Sequence, residues 1–531
     1  MTDWQSHIVI GPIILPMAVA AAMLLLDERR RILKSAMALA AMAAILAMAL
    51  ILLHESATGA TGGGDTARVY RLGAWAAPYG IVLVADRLST LMVALTSVLG
   101  ACSLIFAMAR WDRAGPRFHA LFLLLVMGVN GAFLTGDLFN LFVFFEVMLA
   151  ASYGLVLHGS GEARIRAGLT YIAVNLTASL LFLIGVSLIY GVTGTLNMAD
   201  LVGQVRQVAP DDRGLLHAGA TILGVAFLIK CAVWPLGFWL PVTYSAASAP
   251  AAAVMAILSK VGVYVILRLS LLLFSADAGA SAGFGQTWLL IGGLITLVFG
   301  TLGLISSGDL PRAAGFAVMI SSGTILAVVG LGGTAVLGGA LYYLVGSTLA
   351  CSVLFLLAEI LQRGREPDAG GERAVFDDEY RDPFEDDERN EPGRVIPAAV
   401  ALLGGAFLAC TLMVAGLPPL AGFIGKLAMI QALIGDGRAS AWVIVACLSL
   451  SSLGALIGLT RLGVGAIWAR AEDAPSVVVG SAELTAMIGL LGACILLTLF
   501  GEPAMLFAQH TADWLARPEA YVSATLGGGA R

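Results

Sequence analysis

Residues 136–154 read Gly136-Asp-Leu-Phe-Asn-Leu-Phe-Val-Phe-Phe-Glu146-Val-Met-Leu-Ala-Ala-Ser-Tyr-Gly154, and they place one carboxylate inside an otherwise apolar run. As an α-helix, a run of about 19 residues is long enough to cross a hydrocarbon core of about 30 Å. A charged group at the middle of such a helix is expensive to keep, and its retention marks an ion or proton pathway. The stretch therefore predicts a membrane-spanning helix with a functional residue at its centre.

The composition extends this interpretation to the whole chain. Of the 531 residues, 59% are hydrophobic and 12% are charged, and the mean hydropathy is +0.91. Soluble domains carry about twice that fraction of charge. Apolar runs long enough to cross a bilayer recur from one end to the other, without the alternating pattern of strands. We expect an all-α membrane protein with many spans.

Apolar runs and helix breakers divide the chain into candidate spans. Fourteen lie at residues 6–26, 35–54, 86–109, 118–135, 138–158, 168–190, 215–238, 251–273, 287–306, 313–330, 336–360, 396–432, 440–464 and 480–500. No Lys or Arg precedes the first run, whereas the basic segment 27–34 follows it directly, and Lys and Arg stay more frequent on that side of the membrane. By the positive-inside rule, we expect both termini outside.

Two regions interrupt the spans. Residues 55–85 are rich in glycine and then semi-polar, which predicts an outside loop with a short hairpin. Residues 363–394 are charged and contain three prolines, which predicts a flexible inside loop without a core. This acidic loop is open to two interpretations, a docking segment for a partner and a merely solvated insertion, and the charge pattern favours the insertion.

Three lysines share the situation of Glu146, because each lies inside an apolar run. They are Lys230, Lys260 and Lys426. Buried lysine gives up its proton readily, so it can relay protons where arginine cannot. A single lysine can also extend along its helix to the membrane surface, but three of them with a carboxylate favour a relay. Lys230 precedes Pro235, and Lys426 follows Pro419, within one span each. Such paired interrupted helices predict an internal repeat and a transport site.

Lys230 is the natural partner of Glu146. Desolvation favours the neutral form of a carboxylate and a nearby ammonium favours the ionised form, so moving one charge can switch the group. The alternative is a static ion pair between helices, although such pairs seldom improve on apolar packing. Two weaker candidates are Asp137, which is also placed to cap its helix, and Asn175, which can hold water or join helices.

The sequence lacks the signatures of a cofactor site. The six cysteines lie in apolar segments at irregular spacing without a CxxC pair. No P-loop or dinucleotide-binding glycine motif stands in a suitable context. We therefore expect no cofactor, no metal centre, no soluble catalytic site and no nucleic-acid partner.

These motifs resemble the antiporter-like subunits shared by Mrp-type (also called Pha or Mnh) cation/proton antiporters and by the proton-pumping arm of respiratory complex I. The resemblance runs from about residue 75 to 470 and rests on segments 136–154, 228–235, 259–264 and 416–426. The first of these, with segments 190–200 and 321–324, is most similar to the D-type subunits of the Mrp antiporters.

The resemblance implies about fourteen helices with two inverted five-helix repeats and broken helices 7 and 12. It divides the chain into residues 1–110 with three helices, 118–273 as the first repeat, 287–464 as the second, and 480–531 as the last helix with an outside tail. Glu146 would be the essential carboxylate of the fifth helix and Lys230 its partner on the seventh. Lys260 would be the relay residue on the eighth helix and Lys426 the terminal lysine on the twelfth.

One departure from the family pattern falls on the eleventh helix. Many relatives carry a His and a Lys there, whereas this chain has Tyr343-Leu-Val-Gly346-Ser-Thr-Leu-Ala-Cys351. The resemblance then requires a bridge between Lys260 and Lys426 made by waters that Ser347, Thr348 or the tyrosines, Tyr343 among them, would support.

The function implied by the resemblance is proton translocation within a multisubunit Na⁺/H⁺ or K⁺/H⁺ antiporter of a bacterial inner membrane, as a transporter component rather than an enzyme. The implied partners are a larger antiporter-like subunit, small hydrophobic subunits, the lipid bilayer, H⁺, and Na⁺ or K⁺. Two alternatives stay open. One is a proton-pumping subunit of an NADH:quinone oxidoreductase or membrane hydrogenase, and the other is a structural scaffold of the antiporter complex.

Overall fold

The structure, a computed structural model, describes residues 7–59, 67–75, 79–363, 397–468 and 479–527. Residues 364–394 of the predicted acidic loop lie outside the described residues, so their flexibility stays a prediction. The described residues are almost entirely helical, with one two-stranded sheet among them. The predicted all-α architecture is confirmed.

The first half of the chain contains ten helices and both strands. In order, they are α1 (Gly11–Leu24), α2 (Arg31–Thr58), β1 (Arg68–Arg71), β2 (Val82–Ala85), α3 (Arg87–Ala107), α4 (Phe118–Leu134), α5 (Leu138–Val156), α6 (Glu162–Thr193), α7 (Met198–Gln207), α8 (Arg213–Lys230), α9 (Trp239–Ala246) and α10 (Ala249–Leu273). The strands pair antiparallel with Arg68 opposite Ala85, which confirms the predicted hairpin.

The second half adds nine helices in the described residues. They are α11 (Gln286–Ser306), α12 (Leu310–Leu331), α13 (Thr334–Arg363), α14 (Pro397–Ala415), α15 (Ala421–Asp436), α16 (Ala439–Gly463), α17 (Ser481–Leu499), α18 (Gly501–Leu515) and α19 (Pro518–Leu526). Eleven helices of the described ranges are long and apolar enough to cross a membrane, and three shorter apolar helices accompany them. Fourteen spans in total stays a prediction.

Two of the predicted spans are interrupted. Helix α8 ends at Lys230 and α9 begins only at Trp239; likewise α14 ends at Ala415 and α15 begins at Ala421. The peptide bonds Trp234–Pro235 and Pro418–Pro419, one in each interruption, are both cis. The single run predicted at 396–432 is therefore two helices, because the two prolines and Gly416 cannot continue α14.

The centre of the protein is formed by α10, α12 and α13, whose apolar stretches are buried almost completely. Helix α10 begins with a run of alanines at 251–253, and small residues let neighbouring helices approach closely. Accordingly the Ser352 hydroxyl on α13 donates to the Ala253 carbonyl over 2.8 Å. Any charge at the middle of α10 consequently lies at the core of the bundle.

The segment after the last predicted span is folded. Helices α18 and α19 occupy residues that the sequence indicated only as an outside tail. Helix α18 packs on α13, and α19 packs on α7 and β1. The Tyr521 side chain of α19 is buried, so α19 covers the side of the bundle that carries the hairpin.

Candidate functional site: a row of buried charges

Glu146 lies at the middle of α5, where its carboxylate is half-buried. The helix begins where Asp137 accepts hydrogen bonds from the amides of Phe139 and Asn140 at 2.8 and 2.9 Å. Asp137 is therefore an N-cap. Burial raises the pKa of the Asp137 carboxyl above its usual range, and the two amide donors only partly offset this.

A serine on α6 holds the Glu146 carboxylate. The Ser179 hydroxyl donates to Oε1 of Glu146 over 2.5 Å. One helical turn earlier on α6, the Asn175 side chain faces Lys230, with Oδ1 3.5 Å from the ammonium nitrogen. The amide nitrogen of Asn175 donates to the Tyr171 carbonyl over 2.9 Å, which leaves Oδ1 free to accept from the lysine. Helix α6 thus presents one polar group to each charge.

Lys230 is the last residue of α8, and its ammonium lies 5.6 Å from the centre of the Phe145 ring. Within the described residues, no ion pair closer than 4.0 Å joins Lys230 to Glu146. The predicted partnership is consequently indirect in this conformation, through Asn175 and Ser179 on α6 rather than through a salt bridge. Because Lys230 and Glu146 are separated in this way, either group can change its protonation state without breaking a salt bridge.

Lys260 lies at the middle of α10 and donates to hydroxyls on α12. Its ammonium nitrogen is 2.9 Å from the Ser321 oxygen, 3.1 Å from the Ser322 oxygen and 3.4 Å from the Val318 carbonyl. Helices α8 and α10 meet closely at Gly262. A Cβ atom there would lie 2.7 Å from the Cys231 sulfur and 3.3 Å from the Lys230 Cβ. Because residue 262 is a glycine, α8 and α10 can pack in direct contact. Lys230 and Lys260 therefore lie on neighbouring helices.

The bridge towards Lys426 begins at Ser321. Its hydroxyl lies 2.7 Å from the Ser347 hydroxyl on α13. The Tyr343 hydroxyl, one turn from Ser347, interacts with Ser321 and Thr324. In the described residues, the Thr348 hydroxyl makes one hydrogen bond, in which it donates to the Leu344 carbonyl of its own helix over 2.6 Å. Ser347 and Tyr343 thus lie between the Lys260 site and the second helix break, on the same helix as Gly346 and Cys351.

Lys426 is held at the second helix break. Its ammonium donates to the Val414 and Ala415 carbonyls at the end of α14, both over 3.1 Å, and to the Ser452 hydroxyl over 2.9 Å. These carbonyls are unpaired helix-end acceptors, and the negative end of the helix dipole favours a cation there. The ammonium also lies 5.9 Å from the centre of the Tyr343 ring.

A second glycine explains the contact between Lys426 and Tyr343. A Cβ atom at Gly425 would lie 3.0 Å from the Tyr343 Cα, so only glycine lets α15 come this close to α13. The sequence indicated the lysine but missed Ser452. The serines at 449, 451 and 452, in an otherwise apolar helix, were the available signal.

The electrostatics of this row of charges, which consists of Glu146, Lys230, Lys260 and Lys426, are unusual for a helical bundle. The side chains of Lys230, Lys260 and Lys426 are 5%, 1% and 3% exposed. In the part of the chain that the structure describes, the ammonium groups of Lys260 and Lys426 touch only neutral acceptors. Burying a charge without a counter-charge costs several kcal/mol. The arrangement is suited to groups that change protonation state.

Removing the Tyr343 hydroxyl tests the bridge. If the chain carries out the proton exchange that the resemblance implies, we expect Tyr343→Phe to slow it roughly fivefold, since one hydrogen bond contributes about 1 kcal/mol. The ring facing Lys426 is retained. Tyr342→Phe is the matched control, because the Tyr342 hydroxyl donates to the Leu497 carbonyl, away from the lysines. Equal exchange rates in the two variants, measured in membrane vesicles, would exclude the hydroxyl from the pathway.

Comparisons with known proteins identify relatives along nearly the whole chain. The family model described as NADH:quinone oxidoreductase/Mrp antiporter, TM, matches residues 135–453. The chain is 53% identical over 528 residues to the D-type subunit of a probable K⁺/H⁺ antiporter of Rhizobium meliloti, covering 98% of this chain and 97% of that protein. It is 32% identical to the D-type subunit of the Na⁺/H⁺ antiporter of Alkalihalophilus pseudofirmus, covering 98% and 100%.

A solved structure shares the fold. A chain of the Mrp complex from Dietzia superposes with a TM-score of 0.82 at 26% identity, covering 99% of this chain and 100% of that one. This multi-pass membrane protein therefore belongs to the NADH:quinone oxidoreductase/Mrp antiporter transmembrane family, and along almost its whole length it is similar to the D-type subunits of cation/proton antiporters.

Proposed function

We propose that this chain translocates protons within a multisubunit antiporter that exchanges H⁺ for K⁺ or Na⁺, with Glu146, Lys230, Lys260 and Lys426 as the relay. The observation that carries the proposal is the pair of buried ammonium groups, Lys260 and Lys426, whose contacts in the described residues are neutral acceptors. Apolar side chains would fill the same positions at lower cost, so a static scaffold has no reason to keep them.

The relay acts through two properties of its members. Lysine can lose a proton, and a hydroxyl can accept one proton while it donates another. A proton leaving Lys260 has the Ser321 hydroxyl as its nearest acceptor at 2.9 Å, and Ser347 and Tyr343 continue towards Lys426. Like charges repel strongly in a medium of low dielectric constant, so protonation of one lysine favours deprotonation of the next.

Glu146 and Lys230 would act as the switch of this row. They contact α6 one turn apart, through Ser179 and Asn175. When the carboxylate is ionised, it stabilises the ammonium of Lys230, and when it is protonated, that stabilisation is lost. Cation movement would be coupled to this switch electrostatically, because an entering cation and a proton compete for the same region of negative potential.

The names of the relatives bear on the cation. The relative with 53% identity is named for K⁺, and the one with 32% identity is named for Na⁺. The higher identity favours K⁺. The partners in this proposal are a larger antiporter-like subunit and small hydrophobic subunits in a bacterial inner membrane. Both termini would lie outside, because the basic segment 27–34 follows the first apolar run.

The test is exchange by the native complex. Purified complex in vesicles is expected to show cation-dependent proton movement, with K⁺ and Na⁺ compared against Li⁺, and omission of this chain is expected to abolish it. A second candidate, a proton-pumping subunit of an NADH:quinone oxidoreductase, is favoured by the breadth of the matching family. Flavin and iron–sulfur subunits copurifying with the chain, and no exchange without electron transfer, would establish that candidate instead.

A further inference from the structure

A buried ion pair lies outside the row just described. Asp86 and Arg268 form a fork, with Oδ2 2.7 Å from Nη1 and Oδ1 3.0 Å from Nη2. Asp86 is fully buried and Arg268 is 3% exposed. Asp86 directly follows β2 and caps α3, where its carboxylate accepts from the Ser89 amide over 2.8 Å. The pair therefore lies on the side of the bundle that carries the hairpin.

The pair is connected to the relay by its helix. Lys260, Tyr264 and Arg268 stand four residues apart on α10, and such residues share one side of a helix. Arg268 is two turns, about 12 Å, beyond Lys260. The Tyr264 ring faces the guanidinium at 4.9 Å, and its hydroxyl donates to the Phe133 carbonyl over 2.5 Å. This stripe leads from the middle of the membrane to the hairpin side.

Tyr521 of helix α19 covers the Asp86–Arg268 ion pair. Its ring lies 5.3 Å from the Arg268 guanidinium carbon. Nε of Arg268 and the Tyr521 hydroxyl oxygen are buried here without a hydrogen bond of regular geometry, and Oδ2 of Asp86 is held by its ion pair with Nη1 of Arg268. Buried polar atoms are normally satisfied, by protein or by ordered water. Their concentration beneath α19 is typical of a site that admits water.

We propose that Asp86 is the carboxylate through which protons pass between Lys260 and the solvent on the hairpin side, with Tyr521 on α19 as its cover. This inference rests on the proposed function. A proton leaves the Lys260 ammonium, travels by way of the Tyr264 hydroxyl and water, and binds the Asp86 carboxylate. Protonation removes the attraction to Arg268, which stays charged because arginine does not deprotonate. The proton then passes to bulk water as α19 moves.

A purely structural role explains less of this geometry. The cap of α3 needs only the oxygen that faces the Ser89 amide. A buried ion pair is no more stable than apolar residues of the same volume. Other groups that face the site are Tyr264 and Arg268 from α10, Tyr521 from α19, Ser89 and Thr90 from α3, and Asp137, the cap of α5. Of these, only the two aspartates are carboxylates.

The experiment compares variants of the full complex in vesicles. Asp86→Asn keeps a good helix cap but removes the proton acceptor, and we expect exchange to fall at least about tenfold. Asp86→Glu is expected to restore part of it. Glu55→Gln is the matched control, since it opens an ion pair with Arg68 (2.7 Å) near the same hairpin but off α10. That control is expected to change exchange less than about twofold.

The double variant Asp86→Asn/Arg268→Gln separates transport from structure. It removes both charges and therefore leaves no buried charge unpaired. If the ion pair serves only stability, exchange would recover in this variant. We expect assembly to recover and exchange to stay low. Tyr521→Phe removes a hydroxyl without a regular partner, so folding is retained and exchange is expected to slow. Normal exchange in the double variant, or in both Asp86→Asn and Tyr521→Phe, would overturn the proposal. Glu146→Gln in the same vesicles distinguishes failure of the Asp86 proposal from failure of the proposed relay. If this variant also exchanges normally, the relay itself is contradicted.

Discussion

Replacing Glu146 by glutamine is expected to reduce cation-dependent proton exchange by at least about a hundredfold, because a positioned acid–base group contributes factors of that size. Glutamine has the shape of the glutamate and can still accept from the Ser179 hydroxyl. It cannot bind or release a proton and cannot stabilise the ammonium of Lys230. The measurement is the pH change inside vesicles on addition of K⁺ or Na⁺, normalised to the amount of assembled complex.

Asp137→Asn is the control for that variant. Asp137 lies on the same helix as Glu146, and its carboxylate caps the first turn. Asparagine is an equally good cap, so we expect assembly and exchange close to those of the unaltered protein. Exchange that survives in assembled Glu146→Gln complex would show that the carboxylate only joins helices. A loss in Asp137→Asn would instead place an ion-binding role at the cap.

Lys426→Arg is the sharpest test of proton relay against fixed charge. Arginine keeps a positive charge beside the Val414 and Ala415 carbonyls but does not release its proton. We expect the variant to assemble and to lose exchange by about a hundredfold or more. Lys426→Gln, which donates to carbonyls without a charge, is expected to be equally inactive. Both losses together would show that a titrating group is required.

The control for Lys426→Arg uses a lysine that is not in the row. Lys34 is buried at the start of α2 and pairs with Glu28 over 2.8 Å. Arginine can make the same ion pair, so Lys34→Arg is expected to exchange normally. If Lys426→Arg also retained exchange, a permanent positive charge would suffice at the end of the row. The relay would then end at Lys260, and the link through Ser347 and Tyr343 would have another purpose.

Charge placement in an apolar chain was readable without a fold. Glu146, Lys230, Lys260 and Lys426 stand out because hydrocarbon tolerates so few charges, and all four lie within the bundle. The two helix breaks were readable as well, since proline cannot continue the hydrogen-bond ladder. The departure at Gly346 and Cys351 was visible only against the pattern of relatives.

Contacts between helices needed the tertiary structure. Ser179 is one of many membrane serines, and only packing of α5 on α6 brings its hydroxyl to Glu146. In the same way, Asp86 and Arg268 are separated by 182 residues, and only the packing of α3 on α10 brings them together. The composition and order of the chain determined a multi-pass bundle with a few costly charges, because burial in lipid acts on each helix separately. Which hydroxyl, carbonyl or carboxylate faces each charge was decided by helix packing, because those distances depend on side chains far apart in sequence.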